Sequence, residues 1–158
     1  MTAPNPDHDH AQVRVLPPWV LFGLLAAALL LGWFIRLPVP IPFLVRLLGI
    51  LIVLAGLGLA WGAARVIAAA HTPLDPYEPV TALVVQGPYR FTRNPFYLSF
   101  LGALIGLPLA LGTYWGLLLS PVMIVLMTQL VIRYEEIYLL EKFGQEYSTY
   151  RAKVHRWL

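Results

Sequence analysis

The chain has 158 residues, of which 59% are hydrophobic and only 12% are charged. A soluble globular domain carries roughly 25% charged residues, so this composition excludes an ordinary soluble domain and indicates a single-domain membrane protein. The net charge of +3 comes from few residues, without the dense basic patch typical of nucleic-acid binding, and it suits anionic lipid headgroups. Cysteine is absent, which excludes disulfides, thiolate metal sites and cysteine nucleophiles.

The N-terminal residues 1–18 are polar and contain several prolines, and we expect them to form a disordered tail. The tail includes three potential metal ligands, His8, Asp9 and His10. In a disordered tail we interpret them as ordinary solvated residues. The apolar run 19–35 is longer than a signal-peptide core of about 7–15 residues, and no cleavage pattern follows it. We therefore expect this run to be a retained membrane anchor and residues 19–158 to form one domain.

Four apolar stretches approach the length of about 20 residues that a membrane-spanning helix needs. They are residues 19–35, 43–70, 96–111 and 115–132. The links between the first and second stretches and between the third and fourth are short, whereas the loop 71–95 and the tail 133–158 are longer and polar. The sequence therefore predicts an all-α integral membrane protein with about four transmembrane helices, followed by cytoplasmic juxtamembrane helices.

The distribution of basic residues predicts the orientation. An even number of spans places the N-terminus, the loop 71–95 and the tail 133–158 on one side of the membrane. That side holds nine of the eleven lysines and arginines: Arg14, Arg65, Arg90, Arg93, Arg133, Lys142, Arg151, Lys153 and Arg156. Because positive loops stay inside, we predict a multi-pass protein of the cell (inner) membrane with both termini cytoplasmic.

Small residues recur at four-residue spacing, which lets helices approach closely. We interpret these pairs as sites of intramolecular packing rather than as a dimer motif, and the oligomeric state stays open. The pairs are Gly58 and Gly62, Gly102 and Gly106, and Gly112 and Gly116.

Two polar segments at the ends of apolar spans contain the candidate site. In the first, residues 87–97, Asn94 and Pro95 are residue types that commonly begin a helix, so free N–H groups would face the cytoplasm. In the second, Glu135 and Glu136 stand at the predicted end of the fourth helix, where carboxylates oppose the helix dipole and are costly near lipid. The pair is either a solvated helix end paired with Arg133 or a site for an ammonium or sulfonium group.

The combination of these segments resembles the isoprenylcysteine carboxyl methyltransferase family, which is related to the membrane phospholipid methyltransferases. The matching residues are GPYRFTRNPFY at 87–97, then Glu135-Glu136-x-x-Leu139 and Phe143-Gly144-x-x-Tyr147-x-x-Tyr150. The resemblance covers about the C-terminal half of the chain. It implies an integral membrane enzyme that uses S-adenosylmethionine, with a cytoplasmic cofactor pocket closed by the C-terminal segment and a lipophilic substrate that enters from the bilayer.

The resemblance also implies roles for individual residues and no metal. The methyl donor would be held by Thr81, Ala82, Leu83, Val84, Tyr89, Asn94, Pro95, Phe96, Tyr97, Glu135 and Glu136, with Glu135 meeting the methionyl ammonium. Arg133 would contact the acceptor as a catalytic residue. Many members of the family have histidine at the position of Asn94, and asparagine cannot titrate. A carboxylate acceptor is already ionised at pH 7 and needs no base, so this residue slightly favours O-methylation.

Two other interpretations stay open. Membrane reductases of the sterol type share a similar helical core and C-terminal segment, but binding of NADPH would require more basic residues, and these enzymes commonly have more helices. A non-catalytic membrane protein would use both polar segments as interfacial anchors. Within the methyltransferase hypothesis, the acceptor group is a carboxylate, an amine or a thiol, and the partners are membrane lipids rather than nucleic acid.

Overall fold

The structure is a computed structural model that describes residues 10–11, 13–74 and 78–158. Within these residues it is helical and contains no strand. The helices are α1 Pro17–Phe34, α2 Phe43–Ala69, α3 Pro95–Leu111, α4 Trp115–Met127, α5 Arg133–Phe143 and α6 Gln145–Lys153. A 3-10 turn, Gly87–Arg90, precedes α3, and a π-helical turn, Thr128–Ile132, joins α4 to α5. The predicted all-α membrane fold is confirmed.

Three helices of the described chain are long and apolar enough to cross a membrane. They are α1, α2 and the continuous helix formed by α4, the π-turn and α5. Helix α3 is also apolar but has only 17 residues. At 1.5 Å per residue it is about 25 Å long, somewhat shorter than a hydrocarbon core of about 30 Å. The crossing predicted for residues 96–111 therefore stays a prediction.

Helix α3 occupies the centre of the bundle. It packs against α2 on one side and against α1 and α4 on the other, and α1 also packs against α4. Helices α1 and α2 each pack extensively against α3 but have at most a minor contact with each other. The buried apolar core lies among α1, α3 and α4, whereas most of the apolar surface of α2 is exposed and suited to lipid.

The two ends of the bundle differ in chemistry. At one end the short links meet, where the indole Nε1 of Trp115 donates a hydrogen bond to the Ile35 carbonyl at 2.9 Å. At the other end the residues before α1, the connection between α2 and α3, and the C-terminal tail come together. There the amide of Arg14 donates to the Leu130 carbonyl at 3.0 Å, and that of Arg93 donates to the His155 carbonyl at 3.0 Å. The three polar segments therefore share one end of the bundle.

The N-terminal segment differs from the expected disordered tail over residues 1–18. Ala11 and Val13 are only 3% and 7% exposed, and both join the core cluster that contains Val131 and Ile132. Burial of these small apolar side chains, together with the Arg14 backbone hydrogen bond, holds the segment against the bundle. Residues 1–9, with His8 and Asp9, lie outside the described residues.

The fourth apolar stretch does not end at residue 132. The helix continues through the π-turn to Phe143, and Gly144, with φ of +51°, separates it from α6. Glu135 and Glu136 therefore lie within a long helix, and the interpretation that they oppose the dipole at its C-terminus was wrong. The helix continues because residues 133–143 keep helix-favouring side chains without proline or glycine.

Most of the spaced glycines lie at helix contacts within the chain. A Cβ at Gly106 would lie 2.6 Å from the Gly49 carbonyl oxygen, so α2 and α3 meet backbone to backbone. A Cβ at Gly116 would overlap the carbonyl oxygen of Leu104, to which Pro108 has no N–H to donate. Gly58, in contrast, has no neighbour within 4 Å of an added Cβ.

We predict that Gly116→Ala destabilises the protein and that Gly58→Ala does not. The added methyl group at position 116 must displace α3 backbone, and overpacking of this kind typically costs about 1–3 kcal/mol. At the exposed position 58, alanine gains up to about 1 kcal/mol of helix propensity. Thermal unfolding in one detergent measures both variants, and equal melting temperatures would contradict the packing described here.

Candidate functional site

A cavity of about 480 Å³ opens at the polar end of the bundle. Sites for small molecules typically measure roughly 300–1,000 Å³, so this volume suits one ligand or part of a larger one. Ten of the residues predicted to hold a ligand line its wall: Ala82, Leu83, Val84, Tyr89, Asn94, Pro95, Phe96, Tyr97, Glu135 and Glu136. The structure therefore brings together segments that are about forty residues apart in the sequence.

Thr81 lies beside the cavity rather than in its wall. Its backbone N–H donates to the Thr72 hydroxyl at 3.0 Å, and its own hydroxyl donates to the His71 carbonyl at 3.0 Å. These two bonds tie the segment to the end of α2, and they position the next three residues at the cavity. The contact of Thr81 with a ligand, which the resemblance implies, stays a prediction.

The arginine in the cavity wall is Arg93, not Arg133. Arg133 is exposed at the start of α5 and does not line the cavity. The side chain of Arg93 is only 10% exposed, and its Nε is buried without a hydrogen-bond partner in the described part of the chain. Sequence reasoning missed Arg93 because it resembles an ordinary positive-inside anchor. An acceptor contact by Arg133 stays a prediction, and its exposed position would place that contact outside the cavity.

Glu135 connects α5 to α3 across the cavity wall. The hydroxyl of Tyr97 donates a hydrogen bond to Oε1 of Glu135, and both residues line the cavity. Tyr97 follows Pro95 and Phe96 in the first turn of α3, so the start of this helix fixes its position. The pair presents a carboxylate that is oriented by a phenol, an arrangement suited to binding a cationic group.

Glu136 has different partners from its neighbour, although both are on α5. Its Oε1 lies 3.1 Å from Nη1 of Arg93, and its Oε2 lies 2.5 Å from Nη2 of Arg156. Nε of Arg156 also donates to Oε1 at 2.9 Å. The Glu136 residue is 8% exposed, so two cations neutralise a nearly buried carboxylate. This carboxylate joins α5, the segment before α3 and the C-terminal tail.

The C-terminal tail is also held through its backbone carbonyls. The carbonyl of Arg156 accepts from the Asn94 side-chain amide at 2.9 Å and from the Thr92 hydroxyl at 3.2 Å. In α6, the Tyr150 hydroxyl donates to the Tyr89 carbonyl at 2.7 Å. The tail therefore closes over the segment that leads into α3. The amide of Asn94 holds this tail, a role that the sequence did not indicate.

The phenols at this end of the bundle are held in their neutral form. Burial, followed by the nearby charge of Glu135, raises the pKa of Tyr89 well above its ordinary value. Burial likewise raises the pKa of Tyr150. The hydrogen bonds to Glu136 raise the pKa of Arg156, which stays charged. At physiological pH the phenols of Tyr89 and Tyr150 are therefore neutral and Arg156 is charged.

The π-turn orients the two carboxylates. Five residues, Thr128–Ile132, form a π-helical turn, which contains one residue more than an α-helical turn. One extra residue rotates the following helix by about 100°, so the turn determines which face of α5 meets α3. Such turns occur frequently at functional sites. The sequence contains one signal for this turn, since the polar residues Thr128 and Gln129 interrupt an apolar run.

Comparisons with known proteins identify the family. A family model described as phospholipid methyltransferase matches residues 44–146, which include α2, α3, α4 and α5. The chain belongs to the phospholipid methyltransferase family. This result confirms the predicted relation to the isoprenylcysteine carboxyl methyltransferases and phospholipid methyltransferases. The family match contains most of the cavity wall, but it excludes α1, the residues before it and the tail after residue 146.

Individual relatives cover only parts of this family member. An uncharacterised protein of Haemophilus influenzae is 44% identical over 62 residues, which are 39% of this chain and 98% of that protein. Protein-S-isoprenylcysteine O-methyltransferase of Schizosaccharomyces pombe is 35% identical over 72 residues, 46% of this chain and 30% of that protein. A probable protein-S-isoprenylcysteine O-methyltransferase of Oryza sativa subsp. indica is 34% identical over 89 residues, 52% of this chain and 43% of that protein. The chain thus matches less than half of either methyltransferase, and no solved structure shows a significant match.

We predict that Glu136→Gln releases the C-terminal tail, because the change leaves Arg93 and Arg156 without their shared counter-charge. Breaking a buried ion pair typically costs about 3–5 kcal/mol, and the exposure of Arg156 places this case at the lower end. Hydrogen exchange of residues 154–158 should accelerate. Glu141→Gln, an exposed site on the same helix, is the matched control. Equal exchange in both variants would show that Glu136 does not hold the tail.

Proposed function

We propose that this protein transfers the methyl group of S-adenosylmethionine to a lipophilic acceptor that reaches the cavity from the bilayer. The observation that carries the proposal is the Glu135–Tyr97 pair in the cavity wall, within the part of the chain that matches a methyltransferase family. A carboxylate oriented in this way suits the ammonium of the donor. The names of the relatives in Schizosaccharomyces pombe and Oryza sativa support methyl transfer as the reaction class.

The residues of the cavity fit the three charged groups of the donor. Glu135 complements the ammonium. Tyr89 and Phe96 line the cavity, and aromatic rings of this kind attract cations such as the sulfonium. Nε of Arg93, a buried N–H without a partner in the described residues, suits the carboxylate, because an unmade hydrogen bond in a buried site is costly. In this proposal the carboxylate of S-adenosylmethionine accepts the hydrogen bond that the Arg93 Nε–H does not make within the described residues.

The main task of the protein in this reaction is to position the two reactants. S-Adenosylmethionine supplies an electrophilic methyl carbon, to which an acceptor atom bonds while the carbon–sulfur bond breaks and its electron pair stays on sulfur. The cavity residues orient the two reactants, an effect worth up to about 7–11 kcal/mol, and the docked tail limits the access of water to them.

The side-chain amide of Asn94 donates to the Arg156 carbonyl, and an amide nitrogen cannot accept a proton. We therefore favour acceptors that are already anionic, a carboxylate or an ionised thiol, over an ammonium.

The arrangement of the helices supports access from the bilayer. The cavity is lined by Ile67 near the end of α2, by Pro17 and Pro18 at the start of α1, and by Phe100 of α3. Because α1 and α2 pack mainly against α3 and little against each other, we infer that the cavity opens to the bilayer between them. The residues at this side of the cavity are apolar, so a lipophilic tail can lie among them while its reactive group stays at the polar end.

The membrane orientation belongs to the same proposal. The cavity end of the bundle contains Arg14, Arg93 and Arg156, whereas the opposite end contains Arg36 and Arg46. The positive-inside rule then places the cavity and both termini in the cytoplasm. We propose the cell membrane as the location, where a cytoplasmic methyl donor and a membrane-dissolved acceptor meet at one interface.

We predict that the protein binds S-adenosylmethionine and that Glu135→Gln weakens this binding about tenfold or more. A hydrogen bond to a charged group typically contributes about 1.5–3 kcal/mol. Tyr97→Phe should weaken binding less, because it only removes the group that orients the carboxylate. Equilibrium binding of radiolabelled donor to the protein in lipid nanodiscs measures both variants.

Glu141→Gln, which removes an exposed carboxylate from the same helix, is the control and should bind like the natural protein. Unchanged affinity in Glu135→Gln would remove the assigned role. Saturable binding of NADPH without binding of S-adenosylmethionine would instead favour the reductase hypothesis. Binding of neither compound by a folded sample would favour a non-catalytic membrane protein.

A further inference from the structure

The N-terminal strap, defined as Ala11 and residues 13–18, is attached to the helix that carries the site. The amide of Arg14 donates to the Leu130 carbonyl, which lies within the π-turn. The Arg14 guanidinium also lies 5.4 Å from the centre of the Tyr134 ring. Together with the buried side chains of Ala11 and Val13, these contacts fix the strap against α5.

The strap forms an apolar part of the cavity wall. Ala11, Leu16, Pro17 and Pro18 line the cavity, and none of them has a polar side chain. The polar groups assigned to the methyl donor come from other segments, namely α3, α5 and the residues leading into α3. The strap therefore borders the part of the cavity that suits hydrocarbon, next to Phe100 and Leu139.

The strap also lies outside the part of the chain that matches the family. That match begins at residue 44, after α1 and everything before it. The residues assigned to the methyl donor thus lie within the part that matches the family, whereas this apolar part of the wall lies outside it. A wall that is separate from the shared part is suited to distinguishing one acceptor from another.

We propose that the N-terminal strap bounds the subsite for the apolar tail of the methyl acceptor and that Leu16 sets the tail length this subsite admits. The inference rests on the proposed function, since it takes the tail to be that of the methyl acceptor. Leu16 lines the cavity and is 37% exposed, so its side chain can be enlarged or shortened with little disturbance of the core. One methylene in an apolar pocket typically changes binding about 10-fold or more, which is enough for length selection.

Photolabelling tests this proposal without requiring turnover. The probes are octanoic, dodecanoic and hexadecanoic acids with a diazirine at the end of the chain, added to the full-length protein in nanodiscs. Labelled peptides are mapped by mass spectrometry in the natural protein and in Leu16→Trp and Leu16→Ala. Leu30→Trp and Leu30→Ala are the matched controls, because Leu30 is a leucine of α1 that is 57% exposed and does not line the cavity.

We expect the acid that fits the cavity to label the strap. Leu16→Trp should reduce that labelling about tenfold and shift the preference to a shorter acid, whereas Leu16→Ala should shift it to a longer one. The Leu30 variants should behave like the natural protein. Identical length preferences in the Leu16 and Leu30 variants, or labels confined to the lipid-facing surface of α2, would overturn the proposal.

Binding of S-adenosylmethionine, measured in the same samples, separates this inference from the function on which it rests. Donor binding that is retained in both Leu16 variants, together with a shifted acid preference, supports both. Donor binding with an unshifted preference overturns the strap proposal alone. Absence of donor binding in the natural protein overturns the assignment of the tail to a methyl acceptor, whatever the labelling pattern.

Discussion

A nearly buried carboxylate has to be neutralised, and at Glu136 this requirement brings three parts of the chain together. Arg93 comes from the segment before α3, Arg156 comes from the C-terminal tail, and Glu136 itself is on α5. An unpaired charge in this position would be strongly destabilising, so the three segments are stable together rather than separately. The cavity lies among these same segments, and its shape therefore depends on the ion cluster.

The neighbouring carboxylate, Glu135, takes no part in this ion cluster and has a different role. Residues i and i+1 of a helix point about 100° apart, which accounts for the different partners of Glu135 and Glu136. Both line the cavity, but Glu136 pairs with two arginines, whereas Glu135 accepts a hydrogen bond from Tyr97. One carboxylate maintains the architecture and the other is placed to meet a cation. The π-turn before α5 sets the rotation of this helix and therefore determines which carboxylate has which role.

The sequence predicted those features that depend on local pattern. Apolar runs predicted the helices, and Asn94-Pro95 predicted the start of α3. The family resemblance indicated ten residues that do line one cavity, although what they bind stays a prediction. Local pattern sufficed here because hydrophobic length and helix-start chemistry are encoded by adjacent residues.

The features that sequence reasoning missed depend on contacts between distant residues. Apolar Ala11 and Val13 were hidden in a polar tail, and only the core around the π-turn explains their burial. Arg93 looked like an interfacial anchor and Arg133 like the acceptor contact, but of these two arginines it is Arg93 that pairs with the nearly buried Glu136. Asn94 looked like a helix cap or a ligand contact, whereas its amide binds the Arg156 carbonyl, 62 residues away. No local pattern identifies a partner at such a distance.

The most direct test of the central claim is an experimental structure of the full chain in lipid nanodiscs with S-adenosylhomocysteine. The account predicts density for this product in the cavity, with its ammonium beside Glu135, its carboxylate beside Arg93, and the C-terminal tail docked through Arg156. Density elsewhere on the protein, or the product bound in the cavity with its ammonium on Glu136 and the tail displaced, would contradict the division of roles between the two carboxylates.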